Sequence, residues 1–253
     1  VGALSHPALR WAPRLAERAT VPGLLLHFML RKRWIEEAVR ADLAGGCAQV
    51  VVVGAGFDTL ALRLSREYPH VRFVEVDHPA TQAWKRRARA PARPPAAGDL
   101  RFVPVDLSRI GLREALSGGP TLPAARTVFV VEGLLMYLSD TEVARLFRAL
   151  DELMPASGSV IFTVMEPPPD GRAGFHNATF LVRRLLARWR EPFKSVLGRE
   201  EAPRFLERFG FRLRVLAAAE RLRERYLAPS ARGGLALARG ELIVVADRRV
   251  PGK

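Results

Sequence analysis

Cysteine occurs once in these 253 residues, at Cys47. That scarcity excludes a disulfide framework and a cysteine-built zinc site. No metal site is expected, and a lone thiol suits a reducing cytoplasm. A bilayer-length apolar run is lacking too. The best candidate, Val21 to Leu30, is ten residues long, contains Pro22, Gly23 and His27, and runs into Arg31-Lys32-Arg33. It reads as part of a buried amphipathic helix from about Leu24 to Leu43, so neither a membrane span nor a secretory signal is expected. Lysine is scarce: Lys32, Lys85, Lys194 and Lys253 are four of the 40 basic residues, and the other 36 are arginine. Against 26 acids this gives a net charge of +14, which invites a nucleic-acid reading. The arginines are spread along the whole chain, however, and accompany abundant Ala, Gly and Pro, as in the codon usage of a GC-rich genome. Solvated arginine is the simpler reading, and no nucleic-acid partner is expected. What is not lacking is core: hydrophobic residues make up 49% of the chain, enough to exclude wholesale disorder.

The most informative stretch is Gln49 to Val53 followed by Gly54-Ala55-Gly56-Phe57-Asp58-Thr59. A short apolar run enters a glycine turn and helical periodicity resumes at Leu60, the pattern of a first βα turn in a nucleotide-type site. Three further apolar strands end in an acid: Phe73-Val74-Glu75-Val76-Asp77, Phe102-Val103-Pro104-Val105-Asp106 and Val128-Phe129-Val130-Val131-Glu132. The intervals from Gly54 to Asp77, to Asp106 and to Glu132 are 23, 29 and 26 residues, each the length of a βαβ repeat. In an open parallel sheet ligands sit beyond the carboxyl ends of the strands. One crevice is therefore expected to gather Asp58, Asp77, Asp106 and Glu132.

The whole chain reads as one α/β domain. Residues 1–45 form an N-terminal helical segment in two pieces, punctuated by Pro7, Pro13 and Pro22. A cofactor-binding core occupies 46–165, a cap insertion 166–198, and the C-terminal part of the sheet 199–253. Seven strands are expected, at 49–53, 71–76, 100–105, 127–131, 158–164, 211–216 and 241–246. Pro104 makes the third an edge strand, because proline cannot donate to a ladder. Asp140 is expected to cap a helix from Thr141 to Met154. Glu75 is expected to face away from Asp77.

The turn itself discriminates between ligands. A dinucleotide fingerprint places a third glycine three positions after the second, for close packing against a pyrophosphate. Thr59 stands there, preceded by Asp58, and a carboxylate repels a pyrophosphate. The acids instead suit a ligand without phosphates that carries positive charge, such as S-adenosyl-L-methionine (AdoMet). Asp58 also reads as a cap of the following helix.

These motifs together resemble the leucine carboxyl methyltransferase family. The resemblance rests on Gly54-Ala55-Gly56-Phe57-Asp58-Thr59 with Arg63-Leu64, on Glu75-Val76-Asp77-His78-Pro79 followed by Lys85, on Val105-Asp106-Leu107, and on Glu132-Gly133-Leu134-Leu135-Met136-Tyr137-Leu138. It covers about residues 27–165 and fits 166–253 only loosely. It implies a Rossmann-like class I methyltransferase sheet, mostly parallel and flanked by helices, and AdoMet as cofactor. It also implies site residues: Gly54, Ala55 and Gly56 in the cofactor loop with Asp58 beside them, Asp77 on the ribose with His78 next to it, Asp106 and Leu107 beside the adenine, and Glu132 near the methionine portion. Arg31 matches an arginine that holds the methionine carboxylate in that family, with Arg33 as second choice.

The acceptor side is less legible. A carboxylate acceptor is already anionic at neutral pH and needs only cationic or hydrogen-bonding clamps, for which Arg172, Arg183 and Arg184 are available. A hydroxyl acceptor needs a base, and His176 is the histidine placed for that role in sequence, although a surface or helix-start position explains it as well. Tyr137 is expected to line the acceptor pocket or to pack beneath the cap. The basic stretch from Phe180 to Trp189 offers a lid or a homodimer face, with a packed helix and solvated arginines as the default. The expectation is an AdoMet-dependent O-methyltransferase acting on a carboxylate or hydroxyl of a small-molecule acceptor, a polyketide-like or other secondary metabolite. An RNA-modifying or RNA-binding protein on the same fold is the alternative, and a nicotinamide oxidoreductase ranks third.

Overall fold

The computed structural model describes residues 20–89, 98–122, 124–154, 157–167, 174–179, 193–227 and 234–249. The first half of the N-terminal helical segment, the Phe180–Trp189 stretch, Arg172, Arg183 and Arg184 lie outside the described residues.

Seven strands form one sheet: β1 (Gln49–Val53), β2 (Arg72–Asp77), β3 (Asp99–Pro104), β4 (Thr127–Val131), β5 (Gly158–Met165), β6 (Phe211–Ala217) and β7 (Glu241–Arg248). Their order is β3-β2-β1-β4-β5-β7-β6. The first five pair in parallel, while β7 runs antiparallel to both β5 and β6. Every residue of β1 and β4 is buried. This explains their unbroken apolar sequences: a strand covered on both faces has no solvent side on which to alternate polar residues. Pro104 ends β3, which among the described residues pairs only with β2 and is an edge strand as expected.

Alternate strand residues feed two cores. On one face Val51, Val53, Phe129, Val131 and Phe162 meet α4 (Leu112–Leu116), α5 (Asp140–Leu153) and α6 (Ala202–Arg208). On the other, Val50, Val52, Val128, Val130 and Ile161 meet α1 (Leu24–Ala44), α2 (Leu60–Glu67) and α7 (Ala219–Tyr226). Helix α3 (Pro79–Arg89) follows β2. The short α4 and α7 were not anticipated. In α7 only Ala219 and Leu222 are buried, so its sequence carries almost no apolar stripe.

The start of α5 differs from expectation by one residue. Ser139, not Asp140, is the N-cap: its backbone N–H donates to Glu142 Oε2 (2.7 Å) and its hydroxyl accepts from Glu142 N (3.4 Å), a closed capping box. The helix carries Phe147, fully buried, whose ring meets Phe205 at 4.8 Å, Phe162 at 5.2 Å and Phe209 at 5.6 Å between centroids. One side chain thus joins α5, β5 and α6. Phe147→Ala should cost about 4 kcal/mol, the range for emptying a buried aromatic site. Urea denaturation checks this, with the midpoint falling and the slope unchanged.

Candidate functional site

The order of strands reverses between β1 and β4, which lie side by side although β2 and β3 separate them in sequence. A crevice forms at such a switch point, and the glycine turn and Glu132 flank it. Gly54 and Gly56 take φ of +70° and +50°, values that side-chain-bearing residues avoid. A Cβ on Gly54 would also come within 3.2 Å of the Leu134 side chain.

The turn's backbone N–H groups point back into the protein. Gly54 N donates to Val76 O at 2.8 Å, Ala55 N to the same oxygen at 3.3 Å, and Asp58 N to Ala55 O at 3.0 Å. Gly56 N donates to Asp77 Oδ2, His78 N to Asp77 Oδ1 at 2.6 Å, and Leu60 N to Asp58 Oδ1 at 3.1 Å. A phosphate cradle needs such amides directed at the ligand. Here those of Gly54, Ala55, Gly56, Asp58 and Leu60 already have partners within the chain. The turn therefore presents carboxylates where a dinucleotide site presents amides.

Beside it lies a cavity of about 470 Å³ lined by Gly54, Asp77, His78, Asp106 and Leu107, with α4 and α5 forming the far wall. Five of the residues expected at the cofactor thus surround one space of small-ligand size. Asp106 Oδ1 accepts from Ser108 N (3.0 Å) and Ser108 Oγ (2.6 Å), and these bonds hold its carboxyl below the usual range.

Three more of the residues expected at the cofactor, Arg31, Asp58 and Glu132, gather in a charged cluster between α1 and the strand ends. Arg31 Nε donates to Glu132 Oε1 (2.8 Å), and its NH2 group lies 2.8 Å from the same oxygen. Its NH1 group donates to both oxygens of Glu241 (2.8 and 2.9 Å). Lys32 Nζ reaches Glu132 Oε1 at 3.2 Å and Asp58 Oδ2 at 3.3 Å. Asp58 thus accepts from Leu60 N at the start of α2 with one oxygen and meets Lys32 with the other. Burial works against the charge on Arg31, but Glu241 and Glu132 outweigh it and hold the guanidinium protonated. Burial would also push Glu241 up; His27 and Arg31 reverse this and hold its carboxyl below the usual range. Arg33 lies apart, paired with Glu37 at 3.0 Å.

His27, Lys32 and Glu241 escaped the sequence reading. For His27 a signal existed: it lies four residues before Arg31, hence on the same helix face. Glu241 opens an antiparallel strand, so it reaches the carboxyl edge with its first residue, beside Met165 at the end of β5.

Glu75 corrects an expectation. Residues two apart in a strand share a face, so Glu75 lies on the Asp77 side of β2. It is buried, and Lys85 Nζ donates to its Oε2 at 2.6 Å. The two acceptor-side residues line neither cluster. Tyr137 is half-exposed on a 3₁₀ turn (Leu135–Tyr137), its ring 6.0 Å from that of Phe193. His176 lies over Gly240, so close that a Cβ there would fall 2.5 Å from its ring, and its Nε2 is 3.4 Å from Glu166 O.

The architecture has solved counterparts. A protein of the DUF574 family from Streptomyces avermitilis superposes with a TM-score of 0.65 at 20% identity, covering 96% of this chain and 91% of that one. Magnesium protoporphyrin IX methyltransferase from Synechocystis, solved with bound SAH, superposes at 0.53 with 13% identity, covering 86% and 84%. The fold is that of the class I methyltransferases. The family model for leucine carboxyl methyltransferase matches residues 4–151, and the chain belongs to that family. Among curated relatives, YktD of Bacillus subtilis, provisionally named an S-adenosyl-L-methionine-dependent methyltransferase, is 28% identical over 186 residues, 72% of this chain and 60% of its own. The chain spans about half the length of the curated relatives it matches. These matches give the RNA-binding alternative no support. Among the described residues no helix is long and apolar enough to cross a membrane.

The Glu75–Lys85 pair yields a stability test. Burial raises the Glu75 carboxyl above its usual range even though Lys85 pulls it down. The folded chain then holds that proton more tightly than the unfolded one, so the contribution of Glu75 to stability declines as pH rises above the unfolded value of about 4.3. Lys85→Met strands the carboxylate and should cost about 3 kcal/mol at pH 7, with less lost near pH 4, where Glu75 takes up a proton. Urea titrations at the two pH values check the difference.

Proposed function

We propose that this chain is an AdoMet-dependent O-methyltransferase acting on a small molecule, with a carboxylate as its acceptor group. The observation that carries the reading is the inward commitment of the turn amides beside a cavity edged by Asp77 and Asp106. Such a site repels phosphate and accepts a ligand rich in hydroxyl and amine donors. Membership of the leucine carboxyl methyltransferase family points the same way.

The residues fit the cofactor in two parts. The cavity at Gly54, Asp77, His78, Asp106 and Leu107 has the size and acceptors for an adenosine, with Asp77 for the ribose hydroxyls and the Asp106–Leu107 pair beside the base. The cluster of Arg31, Lys32, Asp58 and Glu132 supplies both signs of charge for a zwitterionic amino-acid end. When bound, AdoMet supplies a methyl group on a cationic sulfur, open to in-line displacement. The protein's task is then to orient the acceptor and exclude water.

His176 favours a carboxylate over a hydroxyl acceptor. Its ring packs over Gly240 with Nε2 3.4 Å from Glu166 O, and it does not line the cavity edged by Asp77 and Asp106. A carboxylate with an ordinary pKa near 4 needs no base at neutral pH.

Calorimetry on the folded protein should show micromolar AdoMet binding. Asp77→Asn should weaken it by about a hundredfold, or about 2.7 kcal/mol, with the circular dichroism spectrum retained. No binding to folded wild type would overturn the reading. Once an acceptor is in hand, His176→Ala should leave carboxyl methylation within about threefold of wild type; a loss of a hundredfold or more, as removal of a general base produces, would restore the hydroxyl reading.

A further inference from the structure

Glu241 is almost wholly buried, at 1% exposure, and cannot touch a ligand. It is nevertheless bound from two directions by α1. His27, also fully buried, donates from Nε2 to Glu241 Oε2 at 2.8 Å, and Arg31 takes both carboxylate oxygens through one nitrogen. An arginine left alone with one carboxylate engages it with two parallel N–H bonds, one to each oxygen. Arg31 does not treat Glu132 that way. With NH1 turned onto Glu241, the remaining edge, Nε and NH2, converges on the single oxygen Oε1 of Glu132. Among the described residues the other oxygen, Oε2, meets only the half-exposed Lys32, at 3.3 Å.

The surroundings hold this arrangement in place. The Arg31 guanidinium lies 4.5 Å over the Phe28 ring, and Phe28 and His27 both meet Phe175 edge-on, at 6.4 and 6.1 Å. Phe175 belongs to the segment that follows β5. His176 N donates to Arg239 O, and Asn177 Oδ1 accepts from Arg239 N at 3.0 Å, tying that segment to the residues just before Glu241.

We infer that Glu241, held by His27, is a positioning residue for the amino-acid end of AdoMet: it draws Arg31 aside so that one oxygen of Glu132 stays available at the mouth of the site. The inference rests on the AdoMet reading above and adds a residue that acts through Arg31 and Glu132 without contacting the ligand. It separates the two halves of the site. Loss of Glu241 lets Arg31 close on both oxygens of Glu132, which harms recognition of the amino-acid end and leaves the adenosine cavity intact.

The test is calorimetry on the full chain with two probes, S-adenosylhomocysteine and 5′-methylthioadenosine, which shares the adenosine but lacks the amino-acid end. Glu241→Gln should weaken S-adenosylhomocysteine at least tenfold and change methylthioadenosine by less than twofold. Parallel weakening of both probes, the mark of general damage, overturns the inference and leaves the AdoMet reading standing, as does no change in either. Failure of the wild type to bind either probe overturns the reading and the inference with it. If Glu241→Gln does not fold, His27 carries the test. His27→Gln, which keeps a donor for Glu241, should retain S-adenosylhomocysteine affinity, and His27→Ala should lose it several-fold with methylthioadenosine unchanged. Equal affinities in the two His27 variants overturn the proposal.

Discussion

The site depends on one carboxylate. Asp77, the last residue of β2, accepts from the backbone N–H groups of Gly56 and His78. These bonds join the end of β2 to the turn after β1, and they close that turn around an acid instead of opening it around a phosphate. The positive φ of Gly54 and Gly56 is what lets the chain double back far enough for this contact. A glycine-rich turn after a first strand is therefore ambiguous by itself. Its ligand class is decided by where its amides point, and here the end of β2 takes three of them: Val76 O accepts from Gly54 and Ala55, and Asp77 from Gly56.

A second constraint is electrostatic. At the switch point the protein places Asp58, Glu132 and Glu241 within one cluster. Like charges so close raise one another's pKa and the cost of folding unless cations intervene. Arg31 and Lys32, adjacent on α1, serve the two depths differently: Arg31 is nearly buried between Glu132 and Glu241, and Lys32 is half-exposed between Glu132 and Asp58. Arginine suits the inner position because it remains charged when desolvated and distributes its bonds in a fixed fork. Lysine suits the outer one, where a hydrated and mobile ammonium can yield to an incoming ligand.

The carboxyl edge of the sheet was legible because parallel strands end there with their last residues. Asp77 ends β2, Asp106 and Glu132 follow β3 and β4 within two residues, and β1 and β4 coincide with the apolar runs to the residue. The same logic concealed Glu241, since an antiparallel strand presents its first residue at that edge. It concealed α7 as well, where two buried side chains in eight leave no stripe to read. Glu75 was misassigned by placing neighbours two apart on opposite faces; the pleat puts them together, and the burial of Lys85 against it follows. The cap at Ser139 was missed by one position because Ser139 and Asp140 both belong to the capping set, and only the reciprocal bond to Glu142 distinguishes them.

The family match ends at Asp151, within α5, before β5, β6 and β7. Those later strands nevertheless contribute to the charged cluster, since Glu241 comes from β7 and the clip that brackets it from the segment after β5. The sheet explains how the matched region and the remainder meet at one edge: β7 inserts between β5 and β6 in reverse, returning the C-terminal part of the chain to the edge where the motifs lie. Glu241 is thereby held between two buried partners on α1, His27 and Arg31, and a change there alters how Arg31 and Glu132 share their bonds.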